Sequence, residues 1–180
     1  FKNKKENINF YKEKLNKTQL LLEISKKIAS LKNLSEILWT IIDFVTENVD
    51  GDRGSLFLND SETNELYSRV AQGELTREIR ILNTVGIAGA NFTSQQGEII
   101  HDVYSDRRFN KEVDQETGYK TRNMICTPVK TVNGQIIGVI QILNKKKGRF
   151  TKDNLNLVDA IATQAAVSIQ NAQNSEFFER

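Results

Sequence analysis

The stretch Asn110–Asn144 constrains the fold of this chain more than any other part of it. It opens with a short polar segment broken at Gly118 and continues into the apolar run Met124–Thr131. The chain then reverses at Asn133-Gly134 into the strand-like run Gln135–Asn144. An Asn-Gly pair between two such runs is typical of a β-hairpin. The sequence therefore predicts a polar lid that leads into a hairpin.

Two long helices are predicted at the ends of the chain. The first runs from Lys4 to about Ser30 without Gly or Pro, with apolar residues at helical spacing. Its early turns carry few apolar residues, so we expect that half to project from the domain. Thr151 can cap the last helix, which runs to about Glu176. Because both helices have more apolar positions than one small sheet needs, they predict a helical bundle between two copies of the chain.

The remaining elements alternate between helix and strand. Asn33 or Ser35 can cap a second helix that ends near Asp50-Gly51, with Trp39 in the core or at an interface. Further strands are predicted at Ser55–Asn59, Glu65–Ala71, Glu78–Leu82 and Glu98–His101. This pattern indicates an α+β fold.

Two residues of the last hairpin, Pro128 and Gln141, carry specific expectations. Pro128 lacks an N–H group, so it is expected at an edge or a bulge. Gln141 is predicted to share one face of the last strand with the apolar residues Ile137, Val139 and Leu143. A polar group there needs a hydrogen-bond partner, which can be a bound base or the backbone.

Small residues at Gly86–Phe92 precede a predicted helix start. Such a start leaves backbone N–H groups free to face an anion. Close packing of the helix against the sheet is the alternative reason for the same residues.

Composition excludes several functional classes. The net charge of +2 is too small for a nucleic-acid surface. One Cys and one His cannot supply a zinc site, so no metal is expected, and His101 is expected to be structural. No apolar run is long enough to cross a membrane. We expect a cytoplasmic segment taken from a longer chain.

The run Asp114-x-x-Thr117-Gly118-Tyr119-x-Thr121-Arg122-Asn123, followed by Cys126-x-Pro128 and Asn144-Lys145, resembles the GAF domains of cyclic-nucleotide phosphodiesterases and cyanobacterial adenylyl cyclases. The resemblance implies an α+β GAF fold: a six-stranded antiparallel sheet with the long terminal helices on one face and a ligand pocket on the other. It divides the chain into an N-terminal linker and dimerisation helix (1–33), a GAF domain (34–172) and a C-terminal helix extension (173–180).

The resemblance also implies a set of ligand-binding residues. The phosphate would meet the backbone at Ile87 and Ala88, with Asn110 beside them. The lid residues correspond to Asp114, Thr117 and Thr121, and the base side corresponds to Arg53, Ser55, Ala71, Gln72 and Gln141.

A signature outside the pocket is expected to support it, with Asn144, Lys145, Phe150 and Asp153 in that role. The family's Asp and Glu positions hold Asn154 and Leu155 here, which removes a Lys to Asp salt bridge. Asp153 lies one residue early and is expected to replace the lost partner of Lys145.

The function implied is a regulatory sensor that binds cyclic nucleotide, cAMP in preference to cGMP, without a cofactor. This segment would have no catalytic residue, and its parent would be an adenylyl cyclase or a phosphodiesterase. Lid closure would pass through the terminal helices of a homodimer to an output domain.

Three alternatives remain open. One is a dimerisation module with a degenerate pocket or a different ligand. Another is a bilin photoreceptor that attaches its pigment to Cys126. The third is a methionine-sulfoxide reductase of the same fold, which needs several cysteines where this chain has one.

Overall fold

A computed structural model describes residues 2–73 and 77–178 of the chain. Parts of the predicted terminal segments, Phe1 and residues 179–180, lie outside the described residues. The helices are α1 (Lys2–Ala29), α2 (Leu34–Asn48), α3 (Gly86–Ser94), α4 (Glu112–Thr117) and α5 (Lys152–Phe178), with a 3-10 turn at Val103–Ser105. The strands are β1 (Gly51–Asp60), β2 (Glu65–Ala71), β3 (Arg80–Leu82), β4 (Glu98–Ile100), β5 (Met124–Lys130) and β6 (Ile136–Lys145).

Within the described ranges, the six strands form one antiparallel sheet in the order β3-β2-β1-β6-β5-β4. One face packs against α1, α2 and α5 through a large core in which Ile41, Ile140 and Ile161 are fully buried. The other face carries a smaller apolar cluster that includes Phe57 and Val139 and reaches α3. This architecture confirms the predicted α+β fold, with a six-stranded antiparallel sheet and the long terminal helices on one face.

The helices begin and project as their sequences predict. The Asn33 side chain caps α2 by accepting a hydrogen bond from the Glu36 amide at 3.2 Å. In α1, residues 3–19 are exposed while Ile24 and Ile28 are buried, so the N-terminal half extends away from the domain. Trp39 is not a core residue, because 42% of its surface is exposed.

A β-bulge changes the predicted face of Ile137. Val129 pairs with Gly138 but Lys130 pairs with Ile136, so Ile137 is an extra residue in β6. Since a bulge shifts the alternation of side chains by one residue, Ile137 packs in the helical core while Val139 lies on the opposite face. The prediction that Ile137 shares a face with Gln141 was therefore wrong.

Pro128 lies where a missing N–H costs little. It pairs with Val139 of β6, whereas β4 pairs with β5 only as far as Cys126. On the β4 side, β5 is therefore a sheet edge at Pro128, as expected.

No helix in residues 2–73 and 77–178 combines the length and apolarity needed to cross a bilayer.

Candidate functional site

A cavity of about 220 Å³ lies on the face of the sheet opposite the terminal helices. Its floor is a row of cross-strand neighbours: Ser55 pairs with Ala71 on one side and with Gln141 on the other. Gln141 in turn pairs with Cys126 of β5. Paired residues of adjacent strands point to the same face. The sheet register thus brings together three residues predicted for the base side, although they lie far apart in the sequence.

A lid (residues 110–121) covers this floor, and α4 lies within it. Asn110, Asp114, Thr117 and Thr121 all line the cavity, as do Ile87 and Ala88 at the start of α3 and Arg53 and Gln72 at the other end. The predicted ligand-binding residues are therefore gathered around one space. The rest of the lining is largely apolar: Phe57, Ile79, Ile81, Val85, Phe109, Val113, Met124 and Leu143.

Backbone donors face the cavity at the start of α3. Val85 is the N-cap and makes no side-chain capping bond, and the first helical hydrogen bond runs from the Gly89 amide to the Val85 carbonyl at 3.0 Å. The N–H groups of Gly86, Ile87 and Ala88 precede that bond, which makes the helix start suitable for an anion.

Close backbone packing explains Gly89 itself. A Cβ atom at this position would lie 2.6 Å from the carbonyl carbon of Thr84. The close-packing alternative for the small residues therefore holds for Gly89. It is compatible with the neighbouring N–H groups of the first turn, which have no hydrogen-bond partner among the described residues.

Arg108 lines the same end of the cavity and was not predicted as a site residue. Its guanidinium contacts Asp106 at 2.7 Å and Glu98 at 2.8 Å. These two hydrogen bonds raise the pKa of Arg108 above its ordinary value. The charge of Arg108 is thus balanced locally by two carboxylates. In the sequence, Arg107-Arg108 has the appearance of an ordinary charged surface pair, so no local signal distinguished it.

Asp114 holds the lid together from inside. It is 7% exposed and accepts hydrogen bonds from the Thr121 amide at 2.7 Å, the Thr121 hydroxyl at 2.7 Å and the Tyr104 hydroxyl at 2.9 Å. The Thr121 proton is therefore used within the lid, which leaves the oxygen's lone pairs for a ligand. The Thr117 hydroxyl likewise donates to the Val113 carbonyl at 2.8 Å.

Asn110 has its own role at the beginning of the lid. Its side-chain oxygen accepts from the Glu112 amide at 2.9 Å, which caps the turn into α4. Asn110 is exposed and lines the cavity, and the bond to Glu112 uses its side-chain oxygen and leaves its NH2 group unused.

At the opposite end of the cavity, Arg53 stacks on an aromatic ring of the lid. Its guanidinium carbon lies 4.0 Å from the centroid of Tyr119. A Cβ atom at Gly73 would lie 2.5 Å from Nη1 of Arg53, and the φ of +111° at Gly73 favours glycine at this position. Tyr119 is a second site residue that was not predicted, although it stands inside the lid motif as the aromatic residue after Gly118.

Gln72 lines the cavity, but its amide is engaged elsewhere. Its side-chain oxygen accepts from the Gly54 amide at 2.7 Å, and its nitrogen donates to Asp43 at 2.6 Å. A contact between Gln72 and a ligand base would have to compete with these two bonds.

Gln141 is satisfied only weakly by the protein. Its side-chain nitrogen lies 3.7 Å from the Cys126 sulfur, which is a weak acceptor. Cys126 is fully buried, and burial raises the pKa of its thiol to about 12. A neutral and fully buried thiol is a poor nucleophile, which argues against pigment attachment at this residue.

Of the residues predicted to support the pocket, Asn144 contacts the lid and Phe150 does not. Asn144 is 1% exposed, accepts from the Arg122 amide at 2.6 Å and donates to the Lys120 carbonyl and the Tyr119 hydroxyl at 2.9 Å each. It therefore anchors the end of the lid, as expected. Phe150 is buried in the helical core.

The expectation that Asp153 replaces the lost partner of Lys145 was wrong. The Lys145 ammonium donates to the Val49 carbonyl at 2.7 Å and lies 3.9 Å from Asp50, at the end of α2. Asp153 is exposed on the first turn of α5. The geometry favours Val49 because β1 begins beside Lys145, where Gly51 pairs with it.

Asn154 and Leu155, which occupy the Asp and Glu positions of the family signature, both have structural roles. The Thr151 hydroxyl accepts from the Asn154 amide at 3.2 Å, and the Asn154 side chain accepts from the Thr151 amide at 3.0 Å. This reciprocal pair is a capping box at the start of α5. Leu155 is buried in the helical core.

An antiparallel sheet with the long terminal helices on one face and a lidded cavity on the other defines a small α+β domain. The family model of the GAF domain matches residues 33–169, and the chain belongs to that family.

Curated relatives are cyclic-nucleotide phosphodiesterases. The chain is 30% identical over 169 residues to a probable 3',5'-cyclic phosphodiesterase of Caenorhabditis elegans, covering 87% of this chain and 23% of the relative. It is 32% identical over 179 residues to a dual 3',5'-cyclic-AMP and -GMP phosphodiesterase 11A of Takifugu rubripes, covering 91% and 20%. The chain thus spans about a fifth of the length of these relatives.

Solved structures support the fold. The GAF domain of a phosphoenolpyruvate-protein phosphotransferase from Coxiella burnetii matches with a TM-score of 0.79 at 18% identity, covering 91% of this chain and 98% of that domain. At this identity the likeness establishes the fold alone.

Proposed function

We propose that this domain is a regulatory sensor that binds a cyclic nucleotide, with cAMP preferred over cGMP, and that it performs no catalysis itself. The observation that carries the proposal is the gathering of the predicted phosphate, lid and base residues around one cavity. The relationship to phosphodiesterases supports the same ligand class.

The two ends of the cavity suit the two ends of a cyclic nucleotide. The free N–H groups at the start of α3 offer donors to a cyclic phosphate. The apolar walls suit a purine and a ribose, and Ser55 and Gln141 on the floor can each donate or accept. Among the described residues, the Gln141 side chain meets only the weak acceptor of the Cys126 thiol, so a base would provide the stronger partner that its amide needs.

The preference for adenine rests on the lack of an available acid. Guanine presents N1–H and N2–H2 donors that a carboxylate satisfies best. Among the described residues that line the cavity, Asp114 is the one carboxylate, and it already accepts three hydrogen bonds. Arg53, which is donor-only, suits the ring-nitrogen acceptors of adenine.

The signal would leave the site through the lid and β5. Lid residues end directly before β5, and β5 packs against α5 on the other face of the sheet. A ligand that binds the closed lid better than the open lid shifts the population toward the closed state. We propose that α5 transmits this change to an output domain of a longer parent, a phosphodiesterase or an adenylyl cyclase.

Assembly as a homodimer through the terminal helices belongs to the same proposal. Two apolar side chains of α1, Leu15 and Leu22, are 59% and 55% exposed. A second copy of the same helix would bury these side chains in a parallel or antiparallel bundle.

Titration calorimetry of the chain with cAMP, cGMP and 5'-AMP tests the ligand assignment. We expect cAMP to bind about 5- to 150-fold more tightly than cGMP, the factor that corresponds to unpaired guanine donors in a closed cavity. 5'-AMP is the control for the cyclic phosphate and should bind more weakly than cAMP. Equal or tighter binding of cGMP would refute the base assignment, and no heat with either cyclic nucleotide would favour the degenerate-pocket alternative.

A further inference from the structure

We propose that Tyr119 is a positioning residue with two tasks: its ring holds the Arg53 side chain in place over the cavity, and its hydroxyl ties the end of the lid to β1. The inference rests on the proposed nucleotide site for its effect on ligand choice. Its structural part concerns the protein alone and is tested without ligand.

The ring of Tyr119 fixes a guanidinium that has no carboxylate partner in the part of the chain that the structure describes. Arg53 lies 4.0 Å above the ring centroid, well inside the roughly 6 Å range of a cation–π contact. The backbone of Gly73 also lies close to this guanidinium, since a Cβ atom at Gly73 would fall 2.5 Å from Nη1 of Arg53. An arginine held between a ring and a backbone segment retains few rotamers, so its donors keep one direction.

The hydroxyl of Tyr119 joins three parts of the molecule. It donates to the Asp52 carboxylate at 2.8 Å and accepts from the Asn144 side chain at 2.9 Å. Asp52 belongs to β1 and Asn144 to β6, whereas Tyr119 belongs to the lid. The lid is thereby fastened across the end of the cavity to the two central strands of the sheet.

The hydroxyl remains a donor at neutral pH. Burial raises the pKa of Tyr119 above its ordinary value, and the hydrogen bond to Asp52 acts in the same direction. The Tyr119 side chain thus contacts two adjacent residues of β1, Asp52 through its hydroxyl and Arg53 through its ring.

Two substitutions separate the two tasks. Tyr119→Phe keeps the ring and removes the hydroxyl, while Tyr119→Leu removes both. Tyr67→Phe is a matched control, because Tyr67 is a half-buried tyrosine that packs against the helical core away from the cavity.

Hydrogen exchange of the ligand-free protein tests the fastening of the lid. The reporter amides are those of Thr121 and Arg122, which donate to Asp114 and Asn144. In Tyr119→Phe we expect these amides to exchange about 10-fold faster, since one hydroxyl with two hydrogen bonds is lost. Tyr67→Phe should leave them unchanged. Unchanged exchange in Tyr119→Phe, with protected lid amides in the parent, would overturn the fastening.

Nuclear magnetic resonance of the Arg53 side chain tests the positioning. A guanidinium above an aromatic ring has its Nε–H proton shifted upfield by the ring current. We expect this shift in the parent and in Tyr119→Phe, and we expect it to vanish in Tyr119→Leu. An Arg53 proton at its ordinary position in the parent would overturn the stacking.

Binding measurements then connect the residue to ligand choice. Tyr119→Leu should reduce the ratio of cAMP to cGMP affinity about 10-fold, because a mobile Arg53 no longer favours one base, while Tyr119→Phe should largely keep that ratio. A ratio unchanged in Tyr119→Leu would overturn the role in specificity. Absence of nucleotide binding by the parent would instead refute the proposed function, and the two ligand-free measurements would still decide the positioning.

Discussion

Asp114 accepts three hydrogen bonds at once, from the amide and hydroxyl of Thr121 and from the hydroxyl of Tyr104. All three partners are donors, so a carboxylate with acceptors only is matched to the position. An asparagine would place an NH2 group against at least one of them. A carboxylate side chain at position 114 is therefore needed by the lid itself, in addition to any contact with a ligand.

Asp114→Asn is expected to destabilise the protein by about 1.5–3 kcal/mol, the range for hydrogen bonds to a charged group. Urea denaturation of the free protein measures the change. Glu112→Gln is the matched control, since Glu112 is an exposed acid in the same helix, and it should change the free energy of unfolding little. A loss no larger than that of the control would mean that the three bonds contribute nothing to stability.

Arg53→Ala is expected to lower cAMP affinity by about 1.5–3 kcal/mol, because a charged donor to the base is lost. Calorimetry with parent and variant measures this difference. Arg149→Ala is the control, since Arg149 is an exposed arginine in the loop between β6 and α5, outside the cavity lining. If Arg53→Ala binds cAMP as tightly as the control, Arg53 does not contact the ligand.

Tyrosine ionisation gives a prediction on pH. Burial raises the pKa of Tyr119, and the hydrogen bond to Asp114 raises the pKa of Tyr104. A raised pKa contributes stability that is fully present below the unfolded value of about 10 and is lost as the pH rises through the folded value. The lid contacts should therefore persist through neutral pH and weaken only in strong alkali.

Phenolate absorbance measures that titration. The difference between the parent and Tyr119→Phe should show one tyrosine that ionises well above pH ~10. If the residue removed in Tyr119→Phe ionises near the ordinary value, the hydroxyl is not buried and bonded as described.

At the start of α5, Asn154 departs from the family signature and has a local structural role. Asn154 completes a capping box with Thr151, and the Lys145 ammonium donates to the Val49 carbonyl at the end of α2. The salt bridge expected of that signature is thus absent between these residues, while the lid end is anchored by Asn144. In this chain, therefore, the residue that anchors the lid is not one of the residues that cap α5.

Asn154→Asp should stabilise the protein by about 0.3–1 kcal/mol, because a negative charge in the first turn interacts favourably with the helix dipole. It should leave cAMP affinity unchanged, because Lys145 is held at Val49. Asn154→Ala is the opposing control and should destabilise by about 0.5–1.5 kcal/mol through the lost bond to the Thr151 amide. Urea denaturation and calorimetry are the measurements; tighter nucleotide binding by Asn154→Asp would show that the Lys to Asp pair can re-form.

For the whole molecule, the exposed half of α1 is the surface that most needs a partner. Residues 3–19 are exposed, yet they include Ile8, Phe10, Tyr11 and Leu15, which are all large apolar side chains. Removing α1 entirely would also remove the buried Ile24 and Ile28, so substitutions on its surface are the cleaner test.

Leu15→Gln combined with Leu22→Gln should weaken self-association at least about 10-fold, since two exposed leucines lose their burial in the proposed bundle. Light scattering over a range of concentrations measures the association. Lys5→Gln combined with Lys12→Gln is the control, with the same spacing of seven on the same exposed helix. A leucine variant that associates as strongly as this control would place the dimer contact elsewhere.

The sequence by itself determined the elements and their order. The helical periodicity of α1, α2 and α5, the caps at Asn33 and Thr151, and the hairpin around Asn133-Gly134 are local features, because each depends on residues a few positions apart. The resemblance of the lid and hairpin motif to GAF domains predicted a set of ligand-binding residues, and these residues line the cavity.

Only the tertiary structure decided which side chains meet. The bulge that places Ile137 in the helical core arises from the pairing of β6 with β5. Lys145 bonds to Val49 and not to Asp153 because α2 ends beside it. Tyr119 contacts Asp52 across 67 residues of sequence. No local pattern encodes such contacts, since they follow from the register of strands and the closure of the lid, which the chain settles only when the whole sheet has formed.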